Sequence, residues 1–371
     1  MSEKFVPIQP VNANLRAIPS LLRKPTLGSL HDSLNRPLGD LRISVTDRCN
    51  FRCVYCMPKE IFDKDYAYLP HKELLSFEEI FTLARHFVAL GVNKLRLTGG
   101  EPLLRKNLED LIAMLAQLRC ADGSQPDLSL TTNGALLEKK AASLKQAGLN
   151  RVTVSLDALS EENFRKINDV DFSVRQVLAG IDAAHQHGLG PVKVNMVVKR
   201  GMNDQEILPM ARYFRATPHI LRFIEFMDVG NSNGWQAHEV IDSAAIIDML
   251  AQHGMPLQAL PQHYASETAS RWQHDNGAEI GFISSVSQAF CGSCSRARLS
   301  TDGKLYTCLF ATQGYDLKHL LRQSENLDEQ KLQDSLAAIW QNRGDRYSEL
   351  RAELQQQRLR ESKIEMSYIG G

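Results

Sequence analysis

The stretch LRISVTDRCNFRCVYCMP, residues 41–58, joins an alternating segment to three closely spaced cysteines. Leu41, Ile43 and Val45 alternate with Arg42, Ser44 and Thr46, so a strand formed here has one apolar and one polar face. Cys49, Cys53 and Cys56 follow as C-x3-C-x2-C at the C-terminal end of that strand. Three thiolates close together can hold a 4Fe-4S cube while leaving its fourth iron without a protein ligand, and an open metal position is where a small molecule binds and reacts. Structural zinc takes four closed ligands, and no fourth is near: His71 lies beyond an aromatic-rich loop with a proline, and Cys120 falls in an expected helix. Disulfides fit poorly, because the cysteine count of seven is odd and residues 1–37 contain no secretory apolar run.

Working outward, the spacing predicts six strands at 41–46, 94–98, 127–131, 151–155, 192–198 and 219–226, separated by helices near 76–90, 106–120, 138–147, 173–187 and 204–215. Helix-length connections call for a parallel sheet with crossover helices and disfavour hairpins. One strand face is polar throughout. It carries Arg42, Ser44, Thr46, Lys94, Arg96, Thr98, Ser129, Thr131, Thr153, Ser155, Asp157, Lys193, Asn195 and Arg222. The other carries Leu41, Ile43, Val45, Leu95, Leu97, Leu128, Leu130, Val152, Val154, Val192 and Val194, the candidate core. A closed eight-stranded barrel fills its interior with apolar layers, so a cationic inner face implies an open, partial barrel around a charged ligand. The expected fold class is α/β, a partial six-stranded (βα)6 TIM-like barrel with an appended C-terminal region.

Three divisions are expected: an irregular leader over 1–37 with five prolines, the barrel over 38–228, and a C-terminal region over 229–371. That last region reads as loop-rich from Gly230 to Gly281, then a second cysteine group, then a charged helical third placed to close the open side of the barrel. Lys plus Arg and Asp plus Glu both number 43, so no overall field favours nucleic acid or an anionic membrane, and any anionic ligand must meet a local cluster of cations. Together with the absence of a long apolar run, this leads to the expectation of a soluble cytoplasmic protein with a small-molecule partner, as a monomer or a homodimer.

The second group, Cys291, Cys294 and Cys308, has the pattern C-x2-C-x13-C, again one ligand short of a closed site. A Cys-x-x-Cys redox pair would not need Cys308. A cluster and a three-cysteine zinc site completed by a distant histidine both remain open on spacing alone. Met227 at a strand end is by default core filler, though its position favours a functional reading, and Gly99-Gly100 is either a plain turn or, at the barrel's C-terminal mouth, a place for close backbone approach to a ligand. His185 and His187, two apart on a helix, point to different sides and are poor partners for one metal.

Residues 41–58 and Gly99-Gly100-Glu101-Pro102 resemble the radical S-adenosylmethionine enzymes, whose shared core is a partial six-stranded barrel. The stretch FCGSCSRARLSTDGKLYTCLF, residues 290–310, and the terminal SYIGG narrow the resemblance to the members that cyclise GTP in molybdenum-cofactor biosynthesis. The resemblance implies a lyase with two 4Fe-4S clusters, on Cys49, Cys53 and Cys56 and on Cys291, Cys294 and Cys308, the free iron of the second binding guanine. It implies S-adenosylmethionine contacts at Tyr55, Gly100, Ser155 and Met227, and GTP contacts at Arg42, Arg96, Thr131, Lys193 and the segment Arg296, Ala297, Arg298. Lys94 and Arg222 join the GTP set through their place on the same inner face, and Gly370 and Gly371 are implied to thread into the site. The implied chemistry is reductive cleavage of S-adenosylmethionine to a 5′-deoxyadenosyl radical, removal of the ribose 3′ hydrogen, and closure of C3′ onto C8. An external electron donor and hand-over to cyclic pyranopterin monophosphate synthase go with it.

Overall fold

The strands β1 (Asp40–Ser44), β2 (Lys94–Thr98), β3 (Asp127–Thr132), β4 (Arg151–Ser155), β5 (Lys193–Val198) and β6 (Ile220–Glu225) lie side by side and parallel, in sequence order. This is the arrangement in a computed structural model that describes residues 15–323, 327–353 and 363–370. Helices α1 (Phe77–Ala89), α2 (Leu108–Leu115), α3 (Leu137–Gln146), α4 (Glu161–Asn168), α5 (Val174–Gln186) and α6 (Ile207–Arg215) make the crossovers. The strand limits agree with those read from the sequence to within two residues. Helix α4 has no counterpart among the expected helices, because it is polar and buries little apolar surface beyond Phe164 and Ile167. Helix α2 is shorter than expected: it ends at Leu115, and Cys120 is a half-buried residue in the turn beyond.

Why the strands form is plain from their faces. Leu41, Ile43, Leu95, Leu97, Leu128, Leu130, Val152, Val154, Val192 and Val194 all enter one core with Leu83, Phe87, Leu111, Leu144, Ile181 and Met210 of the helices. Each fully buried aliphatic side chain contributes roughly 1.5–3 kcal/mol relative to exposure, so a one-residue register slip would be prohibitive. The first crossover starts cleanly, because Ser76 and Glu79 form a reciprocal capping box on α1.

The region after Met227 corrects the expectation of a loop. It holds α7 (Ser243–Gln252), β7 (Leu257–Leu260), β8 (Ser270–His274) and β9 (Glu279–Ile283). Beyond these come β10 (Arg296–Leu299), β11 (Lys304–Tyr306), β12 (Tyr315–Asp316), α8 (Leu317–Arg322), α9 (Glu329–Gln341) and a last short helix, α10 (Met366–Ile369). The strands β7 and β8 are not legible in the sequence because their residues mix polar and apolar types and are nearly all partly or fully exposed, which blurs the two-residue alternation. The sheet order is β12-β11-β10-β1-β2-β3-β4-β5-β6-β9-β8-β7. Since β10 runs parallel to β1 and β9 parallel to β6, the C-terminal region lengthens the barrel at both edges.

The leader carries little regular structure among its described residues, yet Leu30 enters the core and Asp32 and Arg36 are buried. Among the described residues no helix is long and apolar enough to cross a membrane.

Candidate active site

The polar strand faces surround a cavity of about 650 Å³. Its wall includes Arg42, Lys94, Arg96, Thr131, Ser155, Lys193, Arg222, Arg296 and Arg298, and both cysteine groups border it. Their placement follows from register. Arg298, Arg42 and Arg96 are direct neighbours across β10, β1 and β2, on strands about 4.8 Å apart. The side chain of Ala297 departs from the expected contact set: it alternates to the other face, pairs with Leu41 and is fully buried in the core, leaving only its backbone for any ligand.

Three arginines abreast repel one another. Burial lowers the Arg42 pKa well below the usual guanidinium range, and Arg298 and Arg96 add to the shift. Burial also brings Arg222 down to about 9 and Lys193 to about 7, with neighbouring arginines contributing in both cases. Arg151 is tied to Asp127, whereas among the described residues Arg42, Arg96, Lys193, Arg222, Arg296 and Arg298 have no carboxylate at ion-pair distance. The Nε atoms of Arg42, Arg96, Arg296 and Arg298 are buried without a hydrogen-bond partner among the described residues. Arg96 does donate to Thr131 Oγ1 at 3.2 Å, and Arg222 to Asn195 Oδ1 at 2.9 Å. Lys94 stands over the Tyr264 ring, 3.0 Å from its centroid, at a wall position that nothing in the sequence had marked. Buried, unpaired donors on this scale suit a polyanion that brings the missing acceptors.

Cys49, Cys53 and Cys56 stand past the C-terminal end of β1. Arg52 braces their loop by donating to the carbonyl of Cys49 at 2.7 Å, and Asn168 Oδ1 lies 3.1 Å from Cys53 Sγ. Tyr55 is fixed by its hydroxyl, which donates to Asp157 Oδ2 at 2.5 Å, while Asp157 Oδ1 accepts from Val197 N at 2.8 Å. Ser155 and Met227 also reach the cavity wall, and Met227 packs in addition against a small cluster of Val229, Phe310 and Tyr347. Gly99 and Gly100 are needed for a reason the sequence did not show. A Cβ on Gly99 would lie 2.4 Å from Thr46 O, and one on Gly100 would lie 2.3 Å from Arg48 O. The neighbouring Glu101 carboxylate, pushed up to about 7 by burial, accepts from Asn133 N at 2.7 Å and Thr132 Oγ1 at 2.8 Å. The glycines therefore let the β2 loop clasp the cysteine loop.

At the other end of the strands the second group is assembled by a hairpin. Arg298 pairs with Tyr306 across β10 and β11, so the return strand brings Cys308 level with Arg296 and beside Cys294. That register accounts for the thirteen-residue gap in C-x13-C. Since Asp40 pairs with Arg296, this group lies near the N-terminal end of β1, on the order of one strand length, ~16 Å, from the first. Burial raises the Cys49 thiol to about 11 and Cys308 to about 12. Burial also opposes ionisation of Cys294, but Arg296 and Arg343 overcome it and bring that thiol to about 6. All seven cysteines are free thiols. Among the described residues no three His, Cys, Asp or Glu side chains converge as on a single ion, where Zn–S bonds of about 2.3 Å would hold them. Two open sets of three soft sulfur donors facing one cavity fit clusters that take each thiolate on a separate iron.

Residues 43–214 match the Radical SAM superfamily, and residues 219–349 match Molybdenum Cofactor Synthesis C. The GTP 3′,8-cyclase of Acidothermus cellulolyticus is 48% identical over 364 residues, spanning 92% of this chain and 99% of that protein. The GTP 3′,8-cyclase of Staphylococcus haemolyticus is 49% identical over 347 residues, spanning 93% of this chain and all of that protein (100%). This chain belongs to the GTP 3′,8-cyclase family. Among solved structures, methylornithine synthase (PylB) aligns with a TM-score of 0.44 at 17% identity, covering 58% of this chain and 62% of that chain. Membership in the radical S-adenosylmethionine superfamily carries S-adenosylmethionine and an iron–sulfur cluster as cofactors.

In this GTP 3′,8-cyclase family member the tail is folded into the body. Helix α10 packs near β1, and Tyr368 donates its hydroxyl to Asp302, which also accepts from Ser300 Oγ at 2.6 Å. Gly370 is buried beside Thr98 at the end of β2, and Met366 and Ser367 border the cavity. Gly371, expected in the site, lies outside the described residues. Asp32, Arg36 and Arg343, which no sequence motif marks, border the second cysteine group. The Asp32-to-Arg36 spacing in the leader was the sole local signal.

Proposed function

We propose that the barrel, 38–228, and the C-terminal region, 229–371, enclose one GTP between two 4Fe-4S clusters. The reaction is radical cyclisation to (8S)-3′,8-cyclo-7,8-dihydroguanosine 5′-triphosphate, an early step of molybdenum-cofactor biosynthesis. The observation that carries this reading is the arginine row Arg298, Arg42 and Arg96, without a carboxylate at ion-pair distance among the described residues, set between two cysteine groups that border one cavity. The 48–49% identity to two proteins named GTP 3′,8-cyclase supports the same reaction.

Cys49, Cys53 and Cys56 would hold the cluster that supplies the electron for radical cleavage of S-adenosylmethionine, and Cys291, Cys294 and Cys308 would hold a second whose free iron takes the guanine. The chain's own residues do the positioning. Tyr55, Gly100, Ser155 and Met227 form the S-adenosylmethionine side of the wall. Arg42, Lys94, Arg96, Lys193, Arg222, Arg296 and Arg298 replace the hydration that the triphosphate gives up, and Thr131 holds the Arg96 fork. Keeping the base at one end and the sulfonium at the other leaves the ribose between them, screened from water. The tail glycines, Gly370 and Gly371, would take part by threading towards the site, where a chain without side chains needs little room. Electrons come from an external donor in the cytoplasm, and the product passes to cyclic pyranopterin monophosphate synthase.

The test is anaerobic: reduced, reconstituted protein is mixed with S-adenosylmethionine and GTP, and 5′-deoxyadenosine and nucleotides are separated. Deoxyadenosine with a cyclised nucleotide is expected. Deoxyadenosine with unchanged GTP would point to another substrate, and unaltered GTP binding and turnover after Cys291→Ser would remove the second cluster from the mechanism.

A further inference from the structure

The second cysteine group is held from behind by a buried ionic network that begins in the leader. Asp32 Oδ2 contacts Arg36 Nε at 2.6 Å and Arg343 Nη1 at 3.2 Å, so one carboxylate serves two guanidiniums more than 300 residues apart in sequence. Its Oδ1 accepts from the backbone N–H groups of Leu34 and Arg36, both at 2.9 Å, which fixes the carboxylate itself. Asp32, Arg36 and Arg343 are at most 5% exposed.

Each guanidinium then grips the ligand segments. Arg36 Nη1 donates to the carbonyl of Cys291 at 2.9 Å. Arg343 donates to the carbonyl of Cys294 at 2.7 Å, to its sulfur at 3.2 Å, and to the carbonyl of Thr307, the residue before Cys308, at 3.1 Å. Trp340 ties the two together: its ring lies 4.5 Å from the Arg343 guanidinium carbon, and its indole N–H donates to Arg36 O at 3.2 Å. Every segment carrying a cysteine of this group is thus bonded to a guanidinium that Asp32 contacts.

We propose that Asp32 is a positioning residue for the second cluster, setting Cys291, Cys294 and Cys308 through Arg36 and Arg343, and that the Arg343 N–H···S bond raises that cluster's reduction potential. The inference rests on the two-cluster reading above. Without the carboxylate, among the described residues, Arg36 loses its ion-pair partner and Arg343 keeps only Asp345, whose Oδ2 lies 3.5 Å from its Nε, so the network opens at the position where the ligand loop needs a fixed backbone. Donors to a cluster sulfur favour the electron-rich reduced state, which is the physical basis for the potential.

The experiment compares full-length wild type, Asp32→Asn and Arg343→Lys after anaerobic reconstitution. It measures iron and sulfide per chain, the spectrum of the reduced clusters with and without S-adenosylmethionine, and each cluster's midpoint potential. Wild type should hold about eight irons as two cubes. Asp32→Asn should lose about half, and the survivor should be the cluster whose spectrum responds to S-adenosylmethionine, which also reports that the barrel is folded. Arg343→Lys should keep both cubes, with a lower potential only at the unresponsive one. Full iron and wild-type spectra in Asp32→Asn, equal loss at both clusters, or an unchanged potential in Arg343→Lys would overturn the proposal. A wild type with about four irons would instead overturn the two-cluster reading on which it stands.

Discussion

Gly370 rests against Thr98: a Cβ built on this glycine would stand 2.1 Å from Thr98 Cγ2, and its φ of +74° lies in the left-handed region. The described tail is thereby tied at Gly370 to the C-terminal end of β2, just before the Gly99-Gly100 loop. Both strain and overlap oppose any side chain there.

Gly370→Ala should therefore displace the tail, lowering cyclisation at least about tenfold while both clusters stay in place. Thr98→Ser removes the offending methyl, so the double variant should recover part of the loss. Chromatographic assay of the cyclised nucleotide, alongside iron content, decides it. Deleting Gly370 and Gly371 together should abolish cyclisation, and full activity in the truncated protein would refute the role of the tail.

Arg42 should show opposite effects on stability and binding. Its guanidinium is buried beside Arg298 and Arg96, and its Nε lacks a partner. Replacing such a group by an apolar side chain of similar length removes a desolvated charge, so Arg42→Met should stabilise the ligand-free protein by roughly 1 kcal/mol or more. The same change should weaken GTP binding by about tenfold or more, through loss of a charge-assisted bond. Calorimetric melting and nucleotide titration on one preparation test the pair, and a fall in both quantities would count against the account.

Lys193 makes binding sensitive to pH. Burial, aided by Arg222 and Arg151, brings its pKa to about 7 in the empty cavity, and a bound triphosphate must raise it. The complex then holds a proton that the free protein has mostly lost by about pH 8, so binding takes up a proton there and weakens as pH rises. Near pH 6 Lys193 is mostly charged in both states and its proton uptake becomes small. Titration calorimetry in two buffers of different ionisation enthalpy measures this directly. Lys193→Met should erase the difference between the two pH values.

Gly100→Ala should strike the first cluster alone. Its Cβ would meet the backbone carbonyl oxygen of Arg48 at 2.3 Å, and backbone cannot swing aside as a flexible side chain can. About half of the iron should be lost, with the remainder unresponsive to S-adenosylmethionine. Retention of both clusters would show that the cysteine loop tolerates displacement.

The alternation of Leu41 to Thr46, repeated in five further segments, by itself determined the parallel core, its polar face and the ordered row of cations, because side-chain direction in a strand is a local property of period two. The cysteine spacings were equally local. Other features required the folded chain: the pairing of β10 with β1, which carries Arg298 to Arg42 and sets the second cysteine group opposite the first, and the β10–β11 register that returns Cys308 beside Cys294. So did the strands β7 and β8, whose mixed, half-exposed residues leave no clear alternation. Asp32 meeting Arg343 is the extreme case. Neither residue has a neighbour in sequence that announces the other. Such a contact costs chain entropy repaid by the whole core, so it is a property of the packed structure and has no trace in local pattern.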